Sequence, residues 1–394
     1  MRLAPLARNA VEALEVPRDI LLGRYPEFVT GGPLARGDIP IFVFHSLEPV
    51  PFERRLRYLA ANGYRALSAD ELFYALMGAT KVRDRAVALT FDDGRGSLYG
   101  VGLPLMKRYG MRGIVFLVPG RVLPGGGLPP TWDEVESGRI PAARVLERER
   151  EAPLLSWVEI EAMGRSGLFD FQSHTLTHSR IHTRPEVVGF VTPRSRRGYD
   201  AFDTPLAEQD GRDVLGEELP LGTPILRSAP RTSEELRFYE RPEFRSPCQL
   251  AVRQGGNEKF FERREWEEEL RRLLDHRKIT GRKETPEQRE DAIRAELRDS
   301  KRMLEERLGR PVLHLCYPWH TAGATTRRLA REVGYRCGFA GKVPDVPVAR
   351  PGVDPLLTPR IGEDYVELLP GRGRGRLSAI LYEKWTRRFG KPLV

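Results

Sequence analysis

Short apolar runs alternate with helical segments through most of the 394-residue chain. The runs are "IPIFVFHS" (39–46), "AVALTFDDG" (86–94), "RGIVFLVPG", "LFDFQSHTLTH", "VLHLCYPWH", "YRCGFAG" and "LLTPRIG". Most of them read as continuous apolar runs, as strands of a parallel sheet covered on both faces do. Between them lie helices. "FERRLRYLAANGYRAL" sets Phe52, Leu56, Leu59 and Ala60 on one face ahead of Gly63. "SADELFYALMG" opens on Ser68 with Glu71 three residues on, a capping box, and "SWVEIEAMGRSG" opens on Ser156. "EDAIRAELRDSKRMLEERLG" stops at Gly309 and Pro311, and "ATTRRLAREVG" follows. Strand and helix in this rhythm predict an α/β fold with a parallel sheet or barrel.

Residues 183–284 break the rhythm. They are rich in Arg, Glu, Pro and Gly, lack an apolar run of strand length, and offer one narrow helical stripe of Trp266, Leu270, Leu273 and Leu274. They read as an insertion of loops and one or two helices on the surface, or as a lid. Residues 1–38 form a weakly patterned lead-in. The tail 363–394 begins basic and flexible and ends in a helix with Leu377, Ile380, Leu381 and Trp385 on one side and Lys384, Arg387 and Arg388 on the other. That helix is expected to dock on the body, with a membrane surface or a lipid-linked glycan as the alternative contact.

The chain carries 64 Lys and Arg against 55 Asp and Glu, a net charge of +9. This excess permits an anionic partner without requiring one. No nucleic-acid-binding motif is present. Three widely spaced cysteines, Cys248, Cys316 and Cys337, do not make a disulfide framework and suit a reducing compartment. No secretory h-region or membrane-spanning run is visible, so a soluble cytoplasmic protein is expected.

The run "AVALTFDDG" ends in two adjacent carboxylates. Adjacent residues of a strand point to opposite faces, so Asp92 and Asp93 can divide their work, one on a cation and one towards a substrate. The Asp-Gly pair is also a turn signal. "SHTLTH" begins 81 positions beyond Asp93 if counted at His174, and its second imidazole is His178. Two imidazoles four apart reach one ion if the backbone turns helically. With a carboxylate they form an Asp/His/His set that leaves positions open, a catalytic rather than a structural pattern.

"TFDDG" followed by "SHTLTH" resembles the first two motifs of the polysaccharide deacetylase family, carbohydrate esterase family 4. The stretches around "IFVFHSLEP" and "VLHLCYPWHTAG" resemble the branch of that family acting on poly-N-acetylglucosamine-type glycans. The resemblance covers residues 39–182 and 285–362 and implies a distorted (β/α) barrel with a metal at the C-terminal ends of its strands. It implies Asp92 as the catalytic base, and Asp93, His174 and His178 as ligands of one divalent ion, most simply Zn²⁺. It places His45 as the general acid, with His320 as its rival. Tyr317, Pro318 and Trp319 are implied on the substrate side, Trp319 at the place of an oxyanion-binding N–H. The activity implied is removal of N-acetyl, or O-acetyl, groups from a cell-envelope carbohydrate. The alternatives are a glycan-binding relative without catalysis and an amidohydrolase for a non-sugar amide. One departure stands out: the family's arginine beside the base is replaced at the matching position by Cys316, read as a small buried hydrophobe. Arg360 and His182 are read as peripheral.

Overall fold

In the computed structural model, residues 17–389 are described, apart from 21, 83, 149–151, 198–199, 210–211 and 275–277. The first 16 residues of the lead-in and residues 390–394 of the tail therefore lie outside the described residues. The apolar runs become strands: β1 (Ile41–Phe44), β2 (Arg65–Ala66), β3 (Ala86–Phe91), β4 (Gly113–Leu117) and β5 (Phe169–Ser173). An excursion follows, with β6 (Arg180–Phe190), β7 (Ala207–Gln209), β8 (Arg212–Val214), β9 (Pro224–Pro230), β10 (Phe238–Glu240) and β11 (Gly281–Lys283). The body resumes with β12 (His314–Cys316), β13 (Cys337–Phe339) and β14 (Ile361–Gly362).

Among the described residues, eight strands share one sheet in the order β13-β12-β5-β4-β3-β1-β14, with β2 also beside β3. Every pairing in it is parallel. The sheet curls until its ends meet. The Thr358 N–H bonds the Gly338 carbonyl at 2.8 Å, and the Ala340 N–H bonds the Thr358 carbonyl at 2.9 Å. Thr358–Arg360 thus bridges β13 to β14, which pairs with β1, and the result is the distorted barrel expected from the sequence.

All six residues of β3 are buried, which is why the run shows no polar alternation. Outside it, α1 (Pro49–Ala61) buries Phe52, Leu56 and Leu59, as its periodicity predicts. Ala60 is exposed instead of facing inward, and Arg55 takes an inner position through its ion pair with Asp364 at 3.1 Å. Rings from the layers interlock: Phe44 stacks on Phe91 at 5.1 Å and meets Phe52 edge-on at 5.5 Å. The capping boxes of α2 (Ala69–Leu76) at Ser68 and of α4 (Trp157–Gly164) at Ser156 both form; α3 (Leu103–Tyr109) lies between them in the chain.

The excursion differs from its expectation. It is built on an antiparallel ribbon, β6 with β9, flanked by the small ribbons β7–β8 and β10–β11. It also contains α5 (Asp200–Asp203), α6 (Ser246–Gln254) and α7 (Trp266–Leu274). The β6–β9 pairing carries three register shifts, so no period-2 pattern survives in the sequence. It has its own core of Phe190, Cys248, Val252, Phe260 and Leu270, against which Trp266, Leu273 and Leu274 pack as the helical stripe predicts.

The chain then forms α8 (Pro286–Leu308), α9 (Ala324–Val333) and α10 (Leu377–Phe389). The last of these docks on the body, with Ile380 buried. Lys384 faces inward, its Nζ 3.1 Å from Asp364, and so does not belong to a free basic face. The side chains of Trp385, Arg387 and Arg388 fall outside what is described. Among the described residues no helix is long and apolar enough to cross a membrane.

Candidate active site

The C-terminal ends of β1, β3, β5 and β12 open on one mouth of the barrel, and each delivers one part of a cluster. His45 follows β1, Asp92 and Asp93 follow β3, His174 follows β5, and Tyr317–His320 follows β12. β1 lies directly beside β3, with Phe44 opposite Phe91, so His45 reaches the Asp92 side of the mouth.

After β3 the chain turns through two left-handed residues, Asp93 (φ 66°) and Gly94 (φ 68°). A Cβ at Gly94 would stand 2.8 Å from Leu117 Cδ2, so both conformation and space call for glycine. The turn divides Asp93's two oxygens. Oδ2 pairs with Arg95 Nη2 at 2.5 Å, while Oδ1 lies 3.5 Å from His174 Nε2 and 3.5 Å from His178 Nε2. The two rings come together at 4.8 Å through a bend and not the expected helical turn, with Thr175 (φ 62°) and His178 (φ 54°) left-handed. Left-handed non-glycine residues are sparse in proteins, and two of them fall in this five-residue stretch.

His174 donates Nδ1–H to the carbonyl of Cys316 at 2.9 Å, which leaves the Nε2 lone pair facing Asp93. Such a second partner fixes tautomer and ring direction in metal-ligating histidines. His178 Nδ1 is buried and has no hydrogen-bond partner among the described residues. Asp93, His174 and His178 each offer one buried ligand atom, all within 4.8 Å of one another. Two imidazole nitrogens and one carboxylate oxygen fit a single divalent ion.

Asp92 points the other way and is 2% exposed. Its Oδ1 accepts from Arg360 Nη1 at 2.7 Å and its Oδ2 from Arg360 Nη2 at 2.8 Å. Burial alone would raise its pKa, but the Arg360 charge more than reverses that, and the carboxyl stays well below its ordinary range. Oδ2 faces the mouth: His45 Nε2 and His174 Nε2 each stand 4.0 Å from it. His45 keeps 44% of its side chain exposed. His320, left-handed at φ 57° and exposed as a residue, places Nδ1 3.2 Å from Arg360 Nη2, and the protein packed around its ring together with that guanidinium lowers its pKa.

Arg360 is therefore central and not peripheral, contrary to the sequence reading. It also bonds Thr90 Oγ1, the Ala340 carbonyl and Cys316 Sγ. Its one signal in the sequence was a charge placed directly against an apolar strand, "LLTPRIG". Cys316 is buried as expected, with its Sγ 3.6 Å from Asp92 Oδ2 and its thiol pushed up by burial. His182 is away from the cluster, bonded to Glu240 at 3.4 Å, as its peripheral reading had it.

The "YPWH" residues divide. Tyr317 is fully buried, its hydroxyl bonding the Leu356 carbonyl at 2.9 Å, so its ring is core and does not line the mouth. Pro318 is buried as well. Trp319 (φ 56°) lies against His178 at 5.1 Å, with Arg180 over its ring at 4.9 Å. On the other side of His178 stands Phe202 of α5, edge-on at 5.0 Å, with Arg121 over its ring at 4.4 Å. A cavity of about 380 Å³ adjoins it, lined by Arg121, Leu154, Val191, Phe202 and Leu215 among others. Phe202 was missed because an isolated aromatic in a polar stretch carries no pattern.

A parallel barrel thus holds, at its C-terminal mouth, an Asp/His/His donor set and a second, differently held carboxylate, the groups that metal-assisted hydrolysis uses. More particularly, residues 79–192 match the model of the polysaccharide deacetylase family. Among relatives, a Bacillus subtilis (strain 168) protein named as a polysaccharide deacetylase, YxkH, is 33% identical over 88 residues, 20% of this chain and 32% of that one. The poly-β-1,6-N-acetyl-D-glucosamine N-deacetylase of Escherichia coli (strain K12) is 28% identical over 134 residues, 34% of this chain and 18% of that one. The matched segments thus span a third or less of those relatives' lengths. Among solved structures, the BpsB deacetylase domain from Bordetella bronchiseptica is 16% identical, with a TM-score of 0.50 over 84% of this chain and 97% of that one. That likeness establishes the shared fold.

Proposed function

We propose that the protein is a metal-dependent carbohydrate deacetylase that hydrolyses N-acetyl groups. The observation that carries this reading is the convergence of Asp93 Oδ1 with the His174 and His178 Nε2 atoms, at 3.5 Å each, beside an Asp92 held by other partners. Asp93, His174 and His178 hold the ion, and two imidazoles with one carboxylate suit Zn²⁺. When bound, such an ion polarises an acyl carbonyl and lowers the pKa of water.

The chain's own groups account for the proton transfers. Asp92 Oδ2, which faces the mouth, takes the proton of the attacking water. Arg360 keeps that carboxylate ionised and aimed, and a carboxylate so stabilised releases its proton readily. His45, 4.0 Å from Oδ2 and open to solvent, is placed to protonate the departing amine. Trp319 and Phe202 flank His178 and shape the space in which the acetyl group sits. The altered third motif, with Cys316 at the place of the arginine, is the only support for a glycan-binding relative without catalysis. Arg360 supplies a guanidinium to Asp92 from another strand, which removes that support. The E. coli relative's name points to an N-acetylated glycan, and a substrate of that class is proposed here.

Acetate release from N-acetylated sugars, free, lipid-linked and nucleotide-linked, tests the proposal. Wild-type protein should hold about one divalent ion per chain and release acetate. Asp92→Asn should keep the ion and lose about 10²–10⁴ in rate. Metal-loaded protein that binds glycans without releasing acetate would establish the binding reading, and faster release from non-sugar amides would establish the amidohydrolase.

A further inference from the structure

The loop that joins His174 to His178 is gripped from the middle of α8. Glu296 accepts the N–H groups of Leu176 and Thr177 on Oε2, both at 3.1 Å, and the Thr177 hydroxyl on Oε1 at 2.7 Å. These are three donors from the apex of one loop, converging on one side chain 119 positions further along the chain. The loop needs such a grip. It is neither helix nor strand, two of its five residues are left-handed, and beyond His174, whose N–H bonds the Leu117 carbonyl at 2.7 Å, its backbone donors have no ladder to join.

Other contacts fix the same loop elsewhere. The Ser179 hydroxyl donates to Asp213 Oδ2 at 2.7 Å, and Asp213 Oδ1 accepts from Arg237 Nη2 at 2.7 Å. The Arg231 N–H bonds the Ser179 carbonyl at 3.1 Å, and Arg121 Nε bonds the Thr177 carbonyl at 2.7 Å. All of these reach the C-terminal half of the loop or its flank. Glu296 alone of these side chains takes the apex N–H groups that lie between the two imidazoles.

We infer that Glu296 is the positioning residue of the metal site: it holds the His174–His178 loop in the ligating shape before any ion arrives. The inference rests on the proposed function, because it assigns Glu296 a role only if the two imidazoles bind an ion. Its physical content is preorganisation. A loop already folded into the ligating shape does not have to be ordered by the ion, so less binding free energy is spent on it. Without the carboxyl, two part-buried N–H groups lose their acceptor, and the loop relaxes towards conformations that satisfy them and separate the imidazoles.

The role requires hydrogen-bond geometry and not a negative charge. Burial, together with the nearby charge of Asp213, raises the Glu296 carboxyl to about 7. A glutamine fits the same place: its carbonyl accepts the two N–H groups, and its NH₂ donates to Thr177 Oγ1.

The test uses the full chain and measures Zn²⁺ affinity by chelator competition on metal-free protein, with circular dichroism as the control for folding. Glu296→Ala should keep the wild-type spectrum and lose about 10–100-fold in Zn²⁺ affinity, the range found when groups behind metal ligands are removed. Glu296→Gln should restore affinity to within about threefold of wild type. At saturating Zn²⁺, kcat of the alanine variant should recover more than its metal affinity. Wild-type affinity in Glu296→Ala, or equal loss in the Ala and Gln variants, would overturn the inference while leaving the ligand assignment intact. Failure of the wild-type chain itself to bind Zn²⁺ would overturn the ligand assignment. Should Glu296→Ala not fold, Glu296→Asp carries the same test: it withdraws both oxygens by one methylene and should weaken Zn²⁺ binding, while unchanged affinity there would overturn the inference.

Discussion

Arg360 lies across Asp92 with both terminal nitrogens engaged, at 2.7 and 2.8 Å, although 268 residues separate the two in the chain. Both side chains are buried, 0% and 2% exposed. A planar fork against a planar carboxylate fixes direction as well as charge, which a lysine does not reproduce. Arg360→Lys should therefore retain bound metal and lose at least about tenfold in kcat, because Asp92 keeps its neutralising charge but not its aim. Arg360→Ala leaves a buried carboxylate unpaired and should cost about 3–5 kcal/mol of stability in urea denaturation. Wild-type kcat in Arg360→Lys would show that Asp92 is aimed by something else.

The proton delivered to the departing amine separates two histidines that both approach the Asp92–Arg360 pair. His45 is open to solvent and 4.0 Å from Asp92 Oδ2, whereas His320 places Nδ1 against a permanent cation. A ring nitrogen that accepts from arginine is unprotonated, so it cannot supply a proton from that atom. His45→Ala should lower kcat strongly, spare metal affinity and flatten the basic limb of the pH–rate profile. Persistence of that limb in His45→Ala and its disappearance in His320→Ala would assign the acid to His320.

Glu240 anchors the ribbons of the excursion. It accepts from His182 at 3.4 Å and pairs with Arg245 at 2.6 Å, and its carboxyl is 2% exposed. Burial opposes its ionisation, but His182 and Arg245 prevail and lower its pKa from 4.5 to about 2. A depressed folded-state pKa contributes stability above the unfolded value and loses it as pH falls towards the folded value. Roughly 3 kcal/mol should therefore be present at pH 7 and disappear between about pH 4.5 and pH 2. Urea denaturation of Glu240→Gln should show most of that loss already at pH 7 and a flatter fall in acid. An acid limb identical to wild type would mean that other carboxylates set it.

Phe202 brings the excursion into contact with a metal-ligand candidate, since its ring meets His178 at 5.0 Å. Phe202→Ala should raise KM several-fold while leaving metal content unchanged; an unchanged KM would place the substrate elsewhere. Removing residues 186–282 altogether takes away more. Thr232 is bonded through its carbonyl to Gly323 N at 3.1 Å and Thr326 Oγ1 at 2.9 Å, and Asp213 holds Ser179 beside His178. The deletion, which the sequence alone suggests would leave a folded body, is expected to be insoluble or unable to hold metal. A soluble deletion variant with a full complement of metal would show the body to be independent.

What was legible in the sequence followed from periodicity and local chemistry. Strands such as Ala86–Phe91, buried on both sides, announce themselves as unbroken apolar runs, and capping residues such as Ser68 and Ser156 mark helix starts. That Asp93, His174 and His178 come together was legible because each lies in a compact motif at a strand end. Arg360 and Glu296 were not. Each acts over more than a hundred residues of separation, and neither lies in a compact motif of chemically active residues. The ribbons of the excursion were hidden for another reason: three register shifts between β6 and β9 erase the alternation by which a strand is recognised. Tyr317 shows the converse error, in which a residue inside a site motif turns its ring into the core.

The bridge between β13 and β14 has a consequence for how the protein is made. Asp92 emerges early from the ribosome, while Thr358–Arg360, which joins the two ends of the sheet and brings the guanidinium, follows 268 residues after Asp92. At ordinary elongation rates the interval is on the order of tens of seconds. During it the nascent chain exposes the free edge of β1, joined only near the end by that of β13, to which other strands can add, and Asp92 has no cation from Arg360 beside it. Ring closure and the pairing of Asp92 with Arg360 are then one event, so an incomplete polypeptide has an unpaired Asp92 as well as open sheet edges prone to aggregate.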